Sequence, residues 1–259
     1  MANSPSGETV IQRVDRVLGA FTSRTRRLTA AQVAKRADLP PSTAHRLCAE
    51  LARCGWLDRE GDAFVVGTRL WELSTRSAPE SSLASVATPF MQDVQAALGH
   101  HIHLGRVEGG EVLFLQRLSE RGAREISSAV AERLPLHVSA VGLVLLAWMD
   151  EAERASYLAE LAASGTHPPQ GSVENLEAVL QTARSAGHVV QTGNIEHDRT
   201  AIAVPVKGAQ GSVVAALGAV LDRTAGPVDP GATVQVLRAA SHGIERTLRE
   251  ETARERVAG

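Results

Sequence analysis

Cysteine is almost missing from this 259-residue chain: Cys48 and Cys54 are the only two. Two cysteines cannot staple a disulfide scaffold, and on a helix a spacing of six residues would put them on different faces. The expectation is a reduced, cytoplasmic protein. Long apolar runs are missing too. The longest, Val141 to Met149, contains Gly142 and falls well short of the ~18 residues that a membrane span needs. The first nine residues lack a basic segment followed by an apolar one, so no secretory signal is expected. Catalytic signatures are absent as well. There is no G-x-S-x-G, no phosphate-cradling glycine loop and no H-E-x-x-H, so nothing marks an enzyme. Lysine occurs only at Lys35 and Lys207, which makes the basic residues nearly all arginine. With 44% apolar and 22% charged residues the composition is globular, which excludes a disordered or low-complexity polymer. The length points to two domains, at roughly 100–200 residues each.

What is present is unevenly spread. Residues 1–78 hold 12 basic and 8 acidic side chains, and the remainder 15 and 21. A basic first third on an acidic body implies that only the first third meets a polyanion. Arginine suits bidentate contacts to phosphate and guanine, although a GC-rich coding sequence produces the same richness in arginine and alanine. Apolar periodicity predicts a helix over Val10–Thr22. Thr29 is placed to cap a second helix, Ala30–Ala37, and the turn Asp38-Leu39-Pro40-Pro41 leads into a third, Ser42–Cys54, stopped by Gly55. Three helices with a tight turn between the last two make a helix-turn-helix. Trp56–Arg59 and Ala63–Val66, joined through Gly61, read as a hairpin wing, and Gly67–Ser77 as a helix leading away. On the third helix Ala44, Leu47, Cys48 and Leu51 form the buried stripe. Ser42, Thr43, His45 and Arg46 are the candidates for base edges, and Arg53 and wing Arg59 for phosphate. The same pattern fits a winged-helix module that binds protein instead.

These residues resemble a known family. Val14-Asp15-Arg16-Val17-Leu18, the run Leu39-Pro40-Pro41-Ser42-Thr43-Ala44-His45-Arg46-Leu47, Gly55-Trp56-Leu57 and Val66-Gly67-Thr68-Arg69-Leu70 are similar to the DNA-binding half of IclR-type bacterial transcriptional regulators. The likeness continues through Leu134–Gly142, Gly187–Val190 and Ala201–Val206, from about residue 10 to 250. It implies an α+β architecture, in which an N-terminal winged helix-turn-helix is joined by a helix to a GAF-like effector domain. It also implies homodimers, often paired into homotetramers, a double-stranded DNA operator and a small organic effector. The expected domains are 1–66 for DNA, 67–82 for a linker helix and loop, and 83–259 for effector.

Pattern in the second domain agrees with a mostly antiparallel sheet. Leu83–Leu98 is a helix, Ile102–Val107 and Glu111–Leu118 a hairpin, Arg124–Val130 a third strand and Ser139–Met149 a buried helix. Ser172 is placed to cap a further helix ending at Gly187. Three strands follow at Val189–Thr192, Ala201–Val206 and Val213–Leu221, then a helix over Ala232–Glu251. In the family, effectors bind between the sheet and the helix that starts after the Pro-Leu-His motif. That places Ser139, Ala140 and Val141 at the helix start and Gln191, Ala201, Gly218 and Val220 on the strands. Members that take small oxo-acids carry polar side chains at several of these positions, and a lysine where Leu143 stands here. The departure implies a drier, roomier pocket suited to an aromatic acid with one polar handle, from Gln191, Ser139, His103 or Arg106. The alternative is that these positions only pack the core. On the pocket reading, Gly218→Leu is expected to fill the pocket without breaking the fold. His137 beside Ser139 reads as a satisfied histidine beside a helix cap. His100, His101 and His103 read as ordinary sheet histidines, so neither cofactor nor metal is expected. The rival to a regulator is a domain that converts its ligand.

Overall fold

The computed structural model describes residues 7–22, 25–77, 79–119, 130–224, 226 and 229–258. It divides into two compact units, Met1–Pro79 and Glu80–Gly259.

The first unit opens with α1 (Val10–Gly19), α2 (Ala30–Arg36) and α3 (Pro41–Arg53). Thr9 and Thr29 each accept the N–H three residues on, while Gln12 and Gln32 reach back to the cap, so α1 and α2 both begin with a capping box. α1 stops at Gly19, short of the expected Thr22, which instead pairs with Thr25 in an isolated antiparallel bridge. Phe21 packs on the unit's core from outside the helix. The wing strands β2 (Leu57–Glu60) and β3 (Ala63–Val66) are antiparallel. A third strand, β1 (Leu28–Thr29), pairs Leu28 with Phe64, and sequence periodicity missed it. Two residues are too few to show alternation, and Thr29 also serves as the α2 cap. Helix α4 (Thr68–Ser77) ends the unit. Val17, Leu28, Val33, Leu47, Cys48, Leu51, Leu57 and Phe64 form its core.

The second unit is an antiparallel sheet in the order β6-β5-β4-β9-β8-β7. Its strands are β4 (His101–Glu108), β5 (Glu111–Leu118), β6 (Arg133–Pro135), β7 (Val189–Thr192), β8 (Arg199–Lys207) and β9 (Val213–Asp222). Its helices are α5 (Pro79–Leu98), α6 (Ala140–Trp148), α7 (Glu151–Ala163), α8 (Val173–Ala186) and α9 (Pro230–Ala258). Of the strand expected over Arg124–Val130, residues 124–129 lie outside the described residues and Val130 stands in a turn. The strand β6 falls three residues later, past Ala131 at φ 63°. Alternation along β8 and β9 splits the core in two. Ala203 and Ala216 face α6 and α8, where Leu143, Val144, Leu146, Leu176 and Leu180 are buried. Ile202, Val204 and Leu217 face α5 and α9, against Met91, Leu237 and Ile244. The start of α6 is drawn tightly onto the turn before it. A Cβ on Gly142 would stand 2.3 Å from the Leu136 carbonyl oxygen, so only glycine fits there. Among the described residues no helix is long and apolar enough to cross a membrane.

Candidate functional site

Two surfaces need separate accounts, one in each unit. In the first, α3 starts at Pro41 without a side-chain cap. Burying Ala44, Leu47, Cys48 and Leu51 turns the opposite side of the helix outward. Ser42, His45, Arg46 and Arg53 are exposed there, and Thr43 is half-buried beside them. Arg46 Nη1 lies 3.2 Å from Glu50 one turn along, a surface pair. Arg59 is exposed on β2, with its guanidinium 5.5 Å from the Phe64 ring on the neighbouring strand. Arg16 has a different role. Its Nε donates to the Ala37 carbonyl at 2.8 Å and its Nη1 to Glu8 at 2.9 Å. It therefore satisfies the end of α2 and ties α1 to the turn that aims α3.

In the second unit, a cleft of about 590 Å³, its solvent-filled mouth included, lies between the α6 start and the sheet. Ser139, Ala140, Val141, Gln191, Ala201, Gly218 and Val220 all line it. His103 joins them, whereas Arg106 does not; it pairs with Glu108 at 2.9 Å. Register explains the convergence. Gln191 is opposite Ala201, Ala201 opposite Val220, and Gly218 lies between Ala203 and His103. Sequence reasoning missed Phe114, Leu134, the loop Gly193–Glu196 and Arg199, which complete the wall. No local signal marks them: Phe114, Leu134 and Arg199 reach the cleft through strand pairing, and Gly193–Glu196 through the loop that joins β7 to β8.

The polar groups of the cleft differ in how well they are satisfied. Ser139 Oγ accepts the Gly142 N–H at 3.0 Å, so it is occupied as the α6 cap. The N–H groups of Ala140 and Val141, both buried, have no acceptor among the described residues. Gln191 is 9% exposed and its amide has no partner among the described residues. His103 meets the Phe114 ring edge-on at 5.5 Å, and burial pushes its pKa down to about 3, with Arg117 and His101 adding to the effect. Arg199 is buried, its Nε 3.6 Å from Glu196 and 3.8 Å from Asp198, and its Nη1 3.4 Å from Asp222. Gly218 lines the cleft but has no room for a side chain, contrary to expectation. A Cβ there would stand 2.7 Å from Val141 Cγ2 and 3.2 Å from the Ile202 oxygen. It is where α6 rests on β9, so Gly218→Leu would push the two apart. Outside the cleft, His137 Nδ1 is 2.7 Å from the Tyr157 hydroxyl, which anchors the turn before α6. Among the described residues no group of three or more His, Cys, Asp or Glu could hold a metal ion.

A winged helix-turn-helix in the same chain as a domain with an apolar, partly unsatisfied cleft defines a ligand-responsive transcription regulator. Residues 10–61 match the IclR helix-turn-helix domain, and residues 76–245 match the bacterial transcriptional regulator IclR C-terminal domain. The chain belongs to the IclR family, whose members are regulators and not enzymes. It is 30% identical over 220 residues to the Pca regulon regulatory protein of Pseudomonas putida, covering 82% of this chain and 74% of that one. It is 27% identical over 208 residues to the p-hydroxybenzoate hydroxylase transcriptional activator of Acinetobacter baylyi, covering 78% and 76%. An IclR homologue from Microbacterium hydrocarbonoxydans, solved in complex with 4-hydroxybenzoate, superposes with a TM-score of 0.85. Its identity is 39%, over 93% of this chain and 100% of that one.

Proposed function

We propose that this protein acts in the cytoplasm as a homodimer, or a dimer of dimers, on a pseudo-palindromic operator, with its DNA affinity set by an aromatic carboxylate bound in the cleft. The observation that carries this reading is the cleft itself. Its floor of Ala201, Gly218 and Val220 offers only apolar contacts, and its one edge of unsatisfied backbone donors is the α6 start. Buried N–H groups without a partner are costly, at about 1–3 kcal/mol each, so a carboxylate oxygen is the group they favour. The positive end of the helix dipole adds to that preference. A small oxo-acid would satisfy the donors and leave the apolar floor uncovered; an aromatic ring covers it. Two of the relatives described above, one named for p-hydroxybenzoate hydroxylase and one holding 4-hydroxybenzoate, support the reading. On the DNA side, Ser42, Thr43, His45 and Arg46 would meet bases and Arg53 and Arg59 phosphates.

Fluorescence anisotropy on labelled duplexes from upstream of the protein's own gene tests both halves. Kd should rise steeply with salt, as phosphate contacts require. Adding 4-hydroxybenzoate should change Kd by at least about fivefold, the lower end of ordinary coupling energies. Glyoxylate and pyruvate should leave it unchanged. A response to the oxo-acids alone would overturn the effector assignment, and a salt-independent Kd would overturn the DNA assignment.

A further inference from the structure

Glu50 is the only carboxylate in α3, and it stands on the outward side of that helix. Burial of Ala44, Leu47, Cys48 and Leu51 fixes which side faces in. At 3.6 residues per turn, Glu50 lies about 40° around the axis from Arg46 and about 60° from Arg53. A carboxylate placed there faces the same way as the two arginines. In a major groove walled by phosphates it is repelled, unless a group in the groove donates a hydrogen bond to it. Glu50 Oε1 is 3.2 Å from Arg46 Nη1, and both side chains are well exposed. Neither has another partner among the described residues.

The pair sets an acceptor beside a donor at a fixed spacing. Nη1 carries two N–H groups. One holds Glu50, and the other, with an N–H of Nη2, makes the parallel fork that guanine accepts at N7 and O6. The Glu50 carboxylate keeps lone pairs free to accept a further bond. The sequence of groups is therefore donor, donor, acceptor. The major-groove edge of a G·C pair is its complement: acceptor at N7, acceptor at O6, donor at cytosine N4. O6 and N4 are hydrogen-bonded to each other and so lie about 3 Å apart, which matches the 3.2 Å between Nη1 and Glu50. The other pairs clash. A·T and T·A both present acceptor, donor, acceptor, so an arginine N–H would meet a donor and Glu50 an acceptor. C·G presents the complement in reverse, which sets like against like at both outer positions. In water the pair opens at little cost, so the base edge it meets decides whether it holds.

We propose that Arg46 and Glu50 read a single G·C base pair as one unit: Arg46 donates to guanine N7 and O6, and Glu50 accepts from N4 of the cytosine paired with it. Glu50 is thereby a specificity-determining residue that weakens binding to DNA in general and favours one base pair. This rests on the DNA-binding reading and adds the base pair that the middle of α3 selects. Discrimination comes from repulsion at the wrong edges as much as from attraction at the right one.

Selection of duplexes from a randomised pool by the full-length protein, followed by anisotropy on the selected sequence, decides the matter. Wild type should select G·C at one fixed position of each half-site and disfavour the other three pairs there by at least about fivefold, the low end of what one good base contact discriminates. Replacing that cytosine by 2-pyrimidinone removes the N4 amino group and leaves guanine N7 and O6 in place. It should weaken wild type by at least about fivefold and Glu50→Ala by no more than about twofold, a cycle that isolates the contact. Glu50→Ala, at an exposed helix position that suits alanine, should bind the unselected pool more tightly than wild type does. The pyrimidinone duplex tests the unaltered protein, so a variant that fails to fold does not remove the test. Wild type that tolerates pyrimidinone, or an equal loss in both proteins, would overturn this assignment and leave DNA binding standing. So would a Glu50→Ala protein that gains equally on selected and random duplexes, the mark of a merely solvated charge. A wild type that enriches no sequence and binds independently of salt would overturn the DNA-binding reading and this one with it.

Discussion

His103 illustrates what burial does to one side chain. Among neighbours that leave it 3% exposed, its charged form is so disfavoured that the pKa drops from 6.5 to about 3. The unfolded chain takes up a proton near pH 6.5 and the folded chain does not until near pH 3. Stability contributed by this residue is therefore complete above pH 6.5 and is lost as pH falls from there toward 3. Between pH 7 and pH 5 the loss should reach about 2 kcal/mol, at 1.36 kcal/mol per pH unit below the unfolded pKa. Urea unfolding at both pH values, for wild type and His103→Gln, measures it. The variant should lose less stability than wild type on acidification, and parallel losses would refute the attribution. Cys48 is shaped by the same force: burial pushes its thiol up to about 11, which makes it an inert core residue.

At the scale of elements, the recognition surface depends on how α3 is held as well as on what it carries. Arg16 closes the end of α2, and Asp38 turns the chain at φ 49° before Pro40 and Pro41 start α3. The Arg46–Glu50 pair is exposed and one turn apart, so freeing Arg46 for a base costs only ~0.3–0.5 kcal/mol. Arg46→Ala should weaken operator binding by ~1–3 kcal/mol and relax the preference at one base position, whereas Arg53→Ala should weaken all sequences alike and lower the salt slope by about one. Competition footprinting with point-substituted operators separates the two patterns, and an Arg46→Ala protein with unchanged specificity would remove Arg46 from the base-reading set. Helices with caps and a regular apolar stripe were legible in the sequence because their signal is local. Strands β1 and β6 were not, since two or three residues show no period and pairing partners lie far along the chain.

For the whole molecule, the question is how an event in the cleft reaches the DNA-binding unit, and the cleft positions divide by what they touch. Ala201 is half-buried on the open part of the floor, whereas Gly218 is pressed against Val141. Ala201→Leu should abolish the change in operator affinity on adding 4-hydroxybenzoate while leaving ligand-free DNA binding within about twofold, since it occupies space meant for the ligand. Gly218→Leu should instead lower the melting temperature markedly, at an overpacking cost of ~1–3 kcal/mol or more. Anisotropy and thermal melts on both proteins test the distinction. If Ala201→Leu still responded to the ligand, the ring would not lie over that part of the floor.

The amino-acid sequence by itself determined the two units, the helix-turn-helix and its exposed arginines, and, through resemblance, seven positions that share one cleft. Those features depend on residue type, spacing and capping, which are written along the chain. Only the tertiary structure decided which of those positions face open space and which face one another. It showed Gly218 under Val141, Arg199 buried among Glu196, Asp198 and Asp222, and Arg106 turned away to Glu108. The reason is strand register. It joins residues that are far apart in sequence, such as Gln191, Ala201 and Val220. A one-residue shift would carry every one of them to the other face of the sheet.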